Sequence, residues 1–450
     1  MNLKKILLAF LIVLIPITGE LKINLGVRID FVLALLGAVL FLFLFVKKLI
    51  RGEKLFEANY DYLLFIFLVV ATFSSIMSYY LKPEIILHET WLNFPFFRSL
   101  SRLALLFSFF FFFLFLKELI KEKKEYLFAL KTHFTVSTIV CILGLISWIL
   151  AYIYSIFNFS ISNSILENFI LIDHSVYTVR ITSIMAEPLI LGLYLMTSWP
   201  ILISLLNSKT EEFDKKQLKF MILIQTFTLI LTFSRSAWLA ILIISLIVLF
   251  RAIKKINVNL LKIGLIFTLF FLLLASPIIK THVFDSFDYS TDKSWSTKAR
   301  LYTIKYALEA FRQHPIFGIG YENYPFYASK KYHPWITGKE TYVDFPEVNN
   351  YPIRLLAEFG IVGFLIVFSI YLTIMRLLIR VVKFSKDNLI SSISLGILLG
   401  YLGLSIQSLF YSTITYAFIW FFAALIFGLF DLTSFKNSEG VSVKNGESTK

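Results

Sequence analysis

Apolar residues in this chain gather in blocks near twenty long, separated by short polar and charged stretches. A helix needs roughly 20 such residues to cross a hydrocarbon core about 30 Å thick, so each block predicts a membrane span. The blocks run over Ile6–Thr18, Val27–Val46, Tyr62–Tyr80, Leu100–Leu116, Phe134–Tyr154 and Pro188–Leu206. The second half adds Phe220–Phe233, Ala237–Phe250, Leu260–Ile279, Ile353–Leu378, Ile390–Phe410 and Ile414–Asp431, about twelve spans in all. The first is short and follows Met1-Asn-Leu-Lys-Lys5 in the manner of a signal peptide. No small-residue cleavage site follows it, so it counts as a span. The pair flanking Ser234–Ser236 is tight enough to read also as one broken helix.

Composition agrees. Hydrophobic residues make up 58% of the chain and charged ones 16%, with a mean hydropathy of +0.78. A soluble domain runs nearer 45–50% apolar and roughly 25% charged. One soluble core could not hide 49 phenylalanines; lipid is the solvent that remains. The net charge of +14 would hint at nucleic acid in a soluble protein. In a multispanning one it is the excess that holds cytoplasmic loops inside, and no nucleic-acid partner is expected. The single cysteine, Cys141, excludes an intramolecular disulfide framework and Cys-based zinc or iron–sulfur sites. It reads as a small packed side chain.

Every second connection is basic: Lys47, Lys48, Arg51 and Lys54; Lys117, Lys121, Lys123 and Lys124; Lys209, Lys215, Lys216 and Lys219; Arg251, Lys254, Lys255 and Lys262; Arg376, Arg380, Lys383 and Lys386. The positive-inside rule then makes both termini cytoplasmic. The alternate connections face outward, and three are more than turns: Leu81–Phe97, Ser155–Glu187 and Lys280–Tyr351. A loop as long as the last is usually functional. Ser296-Thr297 can cap a helix within it that runs to Gln313, with Leu301, Ile304, Leu308 and Phe311 as its apolar stripe. Pro315, Gly318 and Gly320 then end that helix, which reads as a lid on the outer face of the bundle.

Three arginines fall on the outward side: Arg180 before the sixth span, Arg235 in Phe233-Ser-Arg-Ser-Ala-Trp238, and Arg300 at the start of the lid helix. A guanidinium stays charged in a partly dry site, and its planar fork matches phosphate oxygens. Together the three could neutralise a pyrophosphate. Alone, Arg235 reads as a snorkelling anchor and Arg300 as a solvated helix-start residue. Near the tenth span, Arg354 and Glu358 are four apart and are expected to pair. Asn349 and Asn350 stand where lipid ends, and either cap that span or orient a sugar hydroxyl. Other features are weaker. Gly318-Ile-Gly320 is no dinucleotide fingerprint, because no strand precedes it. Asp285, Asp288 and Asp292 lack the glycine and glutamate of a calcium loop. His174, His282, His314 and His333 lack ligand spacing, so no metal or other cofactor is implied.

In chain order these stretches resemble the O-antigen ligase and O-antigen polymerase superfamily. The residues that carry it are Arg180…Glu187-Pro188…Gly192, Phe233-Ser-Arg-Ser-Ala-Trp238, Arg300…His314-Pro-Ile-Phe-Gly318-Ile-Gly320, and Asn350…Leu356-Ala-Glu358-Phe-Gly360-Ile-Val-Gly363. The resemblance implies an all-α, polytopic, GT-C-like glycosyltransferase of a bacterial inner membrane, with a large helical periplasmic or extracellular loop. It implies an undecaprenyl-pyrophosphate-linked glycan donor, no metal, and a growing chain or lipid A core as acceptor. Arg180, Arg235 and Arg300 would match the donor-phosphate positions. Asn349 stands where family ligases carry histidine, which leaves Glu187, Glu347 or Asp344 to act as base and puts polymerase ahead of ligase. A glycan-lipid flippase or other secondary transporter is the rival class; its repeated halves and midplane charges are not evident in the sequence. The organisation expected is residues 1–279 with nine spans, 280–352 as the lid, 353–432 with three spans, and 433–450 as a cytoplasmic, disordered tail.

Overall fold

The computed structural model describes residues 3–17, 29–52, 61–77, 79, 95–156, 170–173, 178–206, 208, 210–253, 295–329, 347–412 and 414–442. Among the described residues the chain is helical apart from one two-stranded hairpin. In order come α1 (Leu3–Leu14), α2 (Ile29–Ile50), α3 (Asp61–Met77), α4 (Pro95–Leu119), α5 (Lys123–Ile156), β1 (Ile170–Asp173), β2 (Thr178–Ile181), α6 (Pro188–Leu195) and α7 (Trp199–Leu206). Then follow α8 (Lys215–Leu231), α9 (Arg235–Ile253), α10 (Trp295–Gln313), α11 (Tyr324–Ser329), α12 (Tyr351–Phe384), α13 (Asn388–Ser408) and α14 (Ala417–Ser442).

Six stretches among the described residues are long and apolar enough to cross a membrane: Phe31–Ile50, Pro95–Leu119, Lys123–Ala151, Pro188–Leu206, Tyr351–Phe384 and Asn388–Ser408. Shorter apolar helices cover Tyr62–Met77, Arg235–Val248 and Ala417–Thr433. This is a multi-pass membrane protein. The ninth expected span, Leu260–Ile279, lies outside the described residues, as do residues 280–294 and 330–346 of the lid. The last helix carries on to Ser442, into the stretch expected as tail.

Aromatic bulk fills the core. Phe109, Phe112 and Phe113 on α4 are fully buried, where α4 meets α2, α3 and α14. α13 packs on α7, α9 and α12, and α5 packs on α1 and α8. Outward-facing Leu35, Val39, Phe43, Leu223, Phe227 and Leu365 are exposed, as side chains facing lipid should be.

Charge sorts the two ends of the bundle. Lys48 pairs with Glu118 at 2.7 Å, Lys117 with Asp431 at 3.2 Å, and Lys123 with Asp387 at 3.1 Å. The basic connections after spans two, four and ten therefore meet at one end, together with the end of span twelve. The other end of α4 touches the lid, where Ser99 Oγ donates to the Tyr321 carbonyl at 2.7 Å.

Among the described residues two spans are interrupted. Between α6 and α7, Thr197 Oγ1 lies 2.9 Å from His133 Nε2 and Ser198 Oγ donates to Gln225 Oε1 at 2.9 Å. Gln225 Nε2 in turn donates to Ser137 and Thr138 of α5. The second break lies in α12 at Gly360, whose φ of 64° and ψ of −169° are non-helical. An unbroken helix would bond the Ile361 and Val362 amides to the Ala357 and Glu358 carbonyls. Here all four groups turn to the residues that follow α10. Ile361 N donates to Pro315 O at 2.8 Å and Val362 N to Ile316 O at 3.3 Å, while Ile319 N donates to Ala357 O at 2.9 Å and Gly320 N to Glu358 O at 3.0 Å. Gly318 also has positive φ, and a Cβ there would collide with the Glu358 backbone. The glycines of the two sequence motifs are thus the two sides of one interlock.

The lid helix is present, with two corrections. It begins at Trp295, so Ser296-Thr297 lie inside it and not ahead of it. Its buried face is Thr303, Ala307 and Ala310, while Leu301 and Leu308 of the expected stripe are exposed. Small residues let α10 approach α12 closely, and close approach outweighs side-chain hydrophobicity here.

Gly360→Ala should therefore cost about 1–3 kcal/mol, since this backbone region is essentially restricted to glycine. A clearly lower thermal unfolding midpoint in detergent is expected. An unchanged midpoint would mean that the break is not a feature of the folded protein.

Candidate functional site

Four connections meet at the lid end of the bundle. Arg180 is held by β2, where it pairs in register with Leu171. Its half-buried guanidinium donates from Nε to the Thr232 carbonyl at 3.1 Å and from Nη2 to the Phe233 carbonyl at 3.3 Å. Those carbonyls belong to the short turn between α8 and α9, in which Phe233 takes a φ of 48°. Thr232, Phe233 and Ser234 separate two distinct helices. Arg180 thus neutralises the negative end of α8, and the same turn presents Arg235 as the first residue of α9.

The charges of Arg300 and Arg180 both act on Arg235. Arg300 has its guanidinium pulled down from its ordinary value by burial, against the opposing pull of the Glu187 carboxylate. Arg235 is thus within electrostatic reach of both Arg180 and Arg300. Like charges half out of water repel, and an anion among them relieves that cost. Glu187 sits at the N-cap position of α6 in extended conformation, followed by Pro188, and makes no side-chain capping bond. Its carboxylate is exposed beside Arg300.

Tyr411, in the connection between α13 and α14, also belongs here. Its Oη lies 2.6 Å from the Tyr416 Oη, and their rings stack. Burial first, then Tyr416, Glu347 and Glu187, push its phenol up from the ordinary value. No motif pointed to Tyr411; only the packing of distant segments does. Glu347 is exposed and Asn349 half-buried just ahead of α12.

Asn350 is a cap. Its Oδ1 accepts from Ile353 N at 3.1 Å, and its Nδ2 donates to the Leu409 carbonyl at 3.0 Å. The capping role is thus filled, and the Leu409 contact adds an anchor for the Tyr411 connection. His174 and Asp344 lie outside the described residues, with Asp285, Asp288, Asp292, His282 and His333. His314 is exposed at the end of the lid helix.

Beside this group lies a buried ionic cluster. The expected pair forms: Arg354 Nε donates to Glu358 Oε1 at 3.2 Å. Arg354 Nη2 also meets Glu322 Oε1 at 2.7 Å. Glu322 stands in the turn after the lid helix with a φ of 61°. Burial works against its charge, yet Arg354, Arg102 and Arg98 hold its carboxyl below the ordinary range. Sequence spacing found Glu358; Glu322, 32 positions from Arg354, needed the fold.

No curated protein matches the chain in sequence. Residues 220–368 match the family model described as O-Antigen ligase. That stretch takes in Arg235, Arg300, the ionic cluster and the interlocked break, and it leaves Arg180 and Glu187 outside. Over this part of its length, the match bears out the chain's resemblance to the O-antigen ligase and polymerase superfamily.

Proposed function

We propose that the protein is a glycosyltransferase that moves a glycan from undecaprenyl pyrophosphate to a sugar acceptor at the outer face of the bacterial inner membrane. The observation that supports this most is that Arg235 lies within electrostatic reach of both Arg180 and Arg300 at one end of a membrane bundle. An acceptor hydroxyl attacks the anomeric carbon, a new C–O bond forms, and the bond to the pyrophosphate oxygen breaks. The departing lipid pyrophosphate is stabilised by the fixed guanidiniums. The hydroxyl proton passes to Glu187 or Glu347, the two carboxylates that act on Tyr411, and Asn349 orients the acceptor. A single displacement inverts the anomeric centre.

In this reading the transmembrane arrangement is GT-C-like, residues 280–352 form an outward lid, and both termini are cytoplasmic. The cation cluster makes metal assistance unnecessary. The repeat-unit polymerase is the form we favour, because Asn349 cannot serve as the base that a histidine would supply. Ligation to lipid A core is the second reading, and the description of the matched family favours it. Purified protein given lipid-linked repeat units, with and without lipid A core, separates the two: chain growth without core marks a polymerase.

Alanine at Arg180, Arg235 or Arg300 should lower transfer by about a hundredfold each, the scale of losing one preorganised donor to developing negative charge. Short, faint polysaccharide ladders on a gel are the readout. Normal ladders from all three variants would remove the cluster from the mechanism.

Glutamine at the true base should cut turnover by about 10²–10⁴-fold and leave donor binding intact. Glu187→Gln and Glu347→Gln are to be compared at saturating donor. Wild-type turnover in both would exclude either carboxylate as the base.

A further inference from the structure

Arg354 joins three elements that are far apart in sequence. It pairs with Glu322 after the lid helix at 2.7 Å and with Glu358 on its own helix at 3.2 Å. Its Nη1 reaches the Ser412 hydroxyl at 3.3 Å and the Ser412 carbonyl at 3.5 Å. The guanidinium is buried, as are Glu358 and Ser412. Ser412 adjoins Tyr411, whose hydroxyl meets Tyr416. The same connection is tied at its start by Asn350, which donates to the Leu409 carbonyl.

The lid segment does not need Arg354 to stay docked. Residues 315–320 hold the break in α12 through four backbone bonds, and Ser99 grips the Tyr321 carbonyl. Two carboxylates already offset one guanidinium in the cluster, and a third contact to Ser412 adds nothing to that charge balance. What the Ser412 contact adds is position: it fixes the Tyr411 connection relative to the lid and to α12.

We propose that Arg354 is a positioning residue, which holds Tyr411 in place at the lid end of the bundle by clamping Ser412 to the Glu322–Glu358 pair. The planar fork is essential to this role. One face of the guanidinium serves the carboxylates and another edge serves Ser412, a division that a lysine ammonium cannot reproduce. The arginine cluster lies outside the clamp, so donor binding does not depend on it. This assignment rests on the transfer reaction proposed above for its kinetic consequence, but its geometric consequence stands apart from that reaction.

The test uses two variants and two readouts. Arg354→Lys keeps a cation for the carboxylates and loses the fork. Ser412→Ala leaves both ion pairs intact and removes only the hydroxyl contact. In a Phe410→Cys background, a membrane-impermeant maleimide reports the freedom of the connection; the native Cys141 is buried and silent. We expect labelling at least fivefold faster with Arg354→Lys and a smaller rise with Ser412→Ala. In the native background, kcat should fall at least tenfold in Arg354→Lys with donor KM unchanged, and acceptor KM should rise. Unchanged labelling in both variants overturns the clamp whatever the enzyme's reaction proves to be. Activity that falls only in proportion to folded protein, with labelling unaltered, assigns Arg354 a purely structural role and overturns it equally. If the unaltered protein transfers no glycan, the reaction fails, and labelling alone judges the clamp.

Discussion

A helix that breaks inside a membrane bundle frees backbone groups that lipid cannot satisfy. In α12 the break at Gly360 frees two amides and two carbonyls, and residues 315–320 take up all four. That exchange is the constraint on which the lid end of the protein depends. It fixes where the lid helix ends, it requires glycine at two facing positions, and it brings the turn carrying Glu322 over the first turn of α12.

Above that fixed base, charges are arranged at some electrostatic cost. Arg235 feels both Arg180 and Arg300, and bringing such groups together in a half-dry site is unfavourable until an anion arrives. The protein offsets part of the cost locally, by turning Arg180 onto the end of α8 and placing Glu187 beside Arg300. The neighbouring cluster is balanced differently. Arg354 is enclosed by two carboxylates, and Arg98 and Arg102 reach Glu322 from α4. The second group is tied together by ion pairs, while the first brings cations near one another. We read the first as the place for a diphosphate and the second as the frame that holds the site's far side.

Much of this was legible in the sequence because it is local. Apolar blocks gave the helices, and loop basicity gave the alternation of ends that Lys48–Glu118 and Lys117–Asp431 reflect. Four-residue spacing gave the Arg354–Glu358 pair. What escaped is what depends on tertiary contact. Tyr411 sits in an unremarked connection, and Glu322 pairs with a residue 32 positions away. The lid helix was read from its largest apolar residues, whereas the face it buries is Thr303, Ala307 and Ala310. Hydrophobic spacing assumes burial of bulk, and it fails where backbones must come close. That Asn350 caps its helix was one of the two roles legible in the sequence; its tie to the Leu409 carbonyl was not.

The central claim is that fixed cations at the lid end accept a lipid diphosphate as it leaves. The most direct measurement follows a lipid-linked repeat unit, labelled in its phosphates, with purified protein in detergent and chelator, and asks whether free lipid pyrophosphate is released in step with glycan transfer. The account predicts one lipid pyrophosphate for each unit transferred, with chelator making no difference. Transfer without that release, or release that stops when metal is removed, would contradict it.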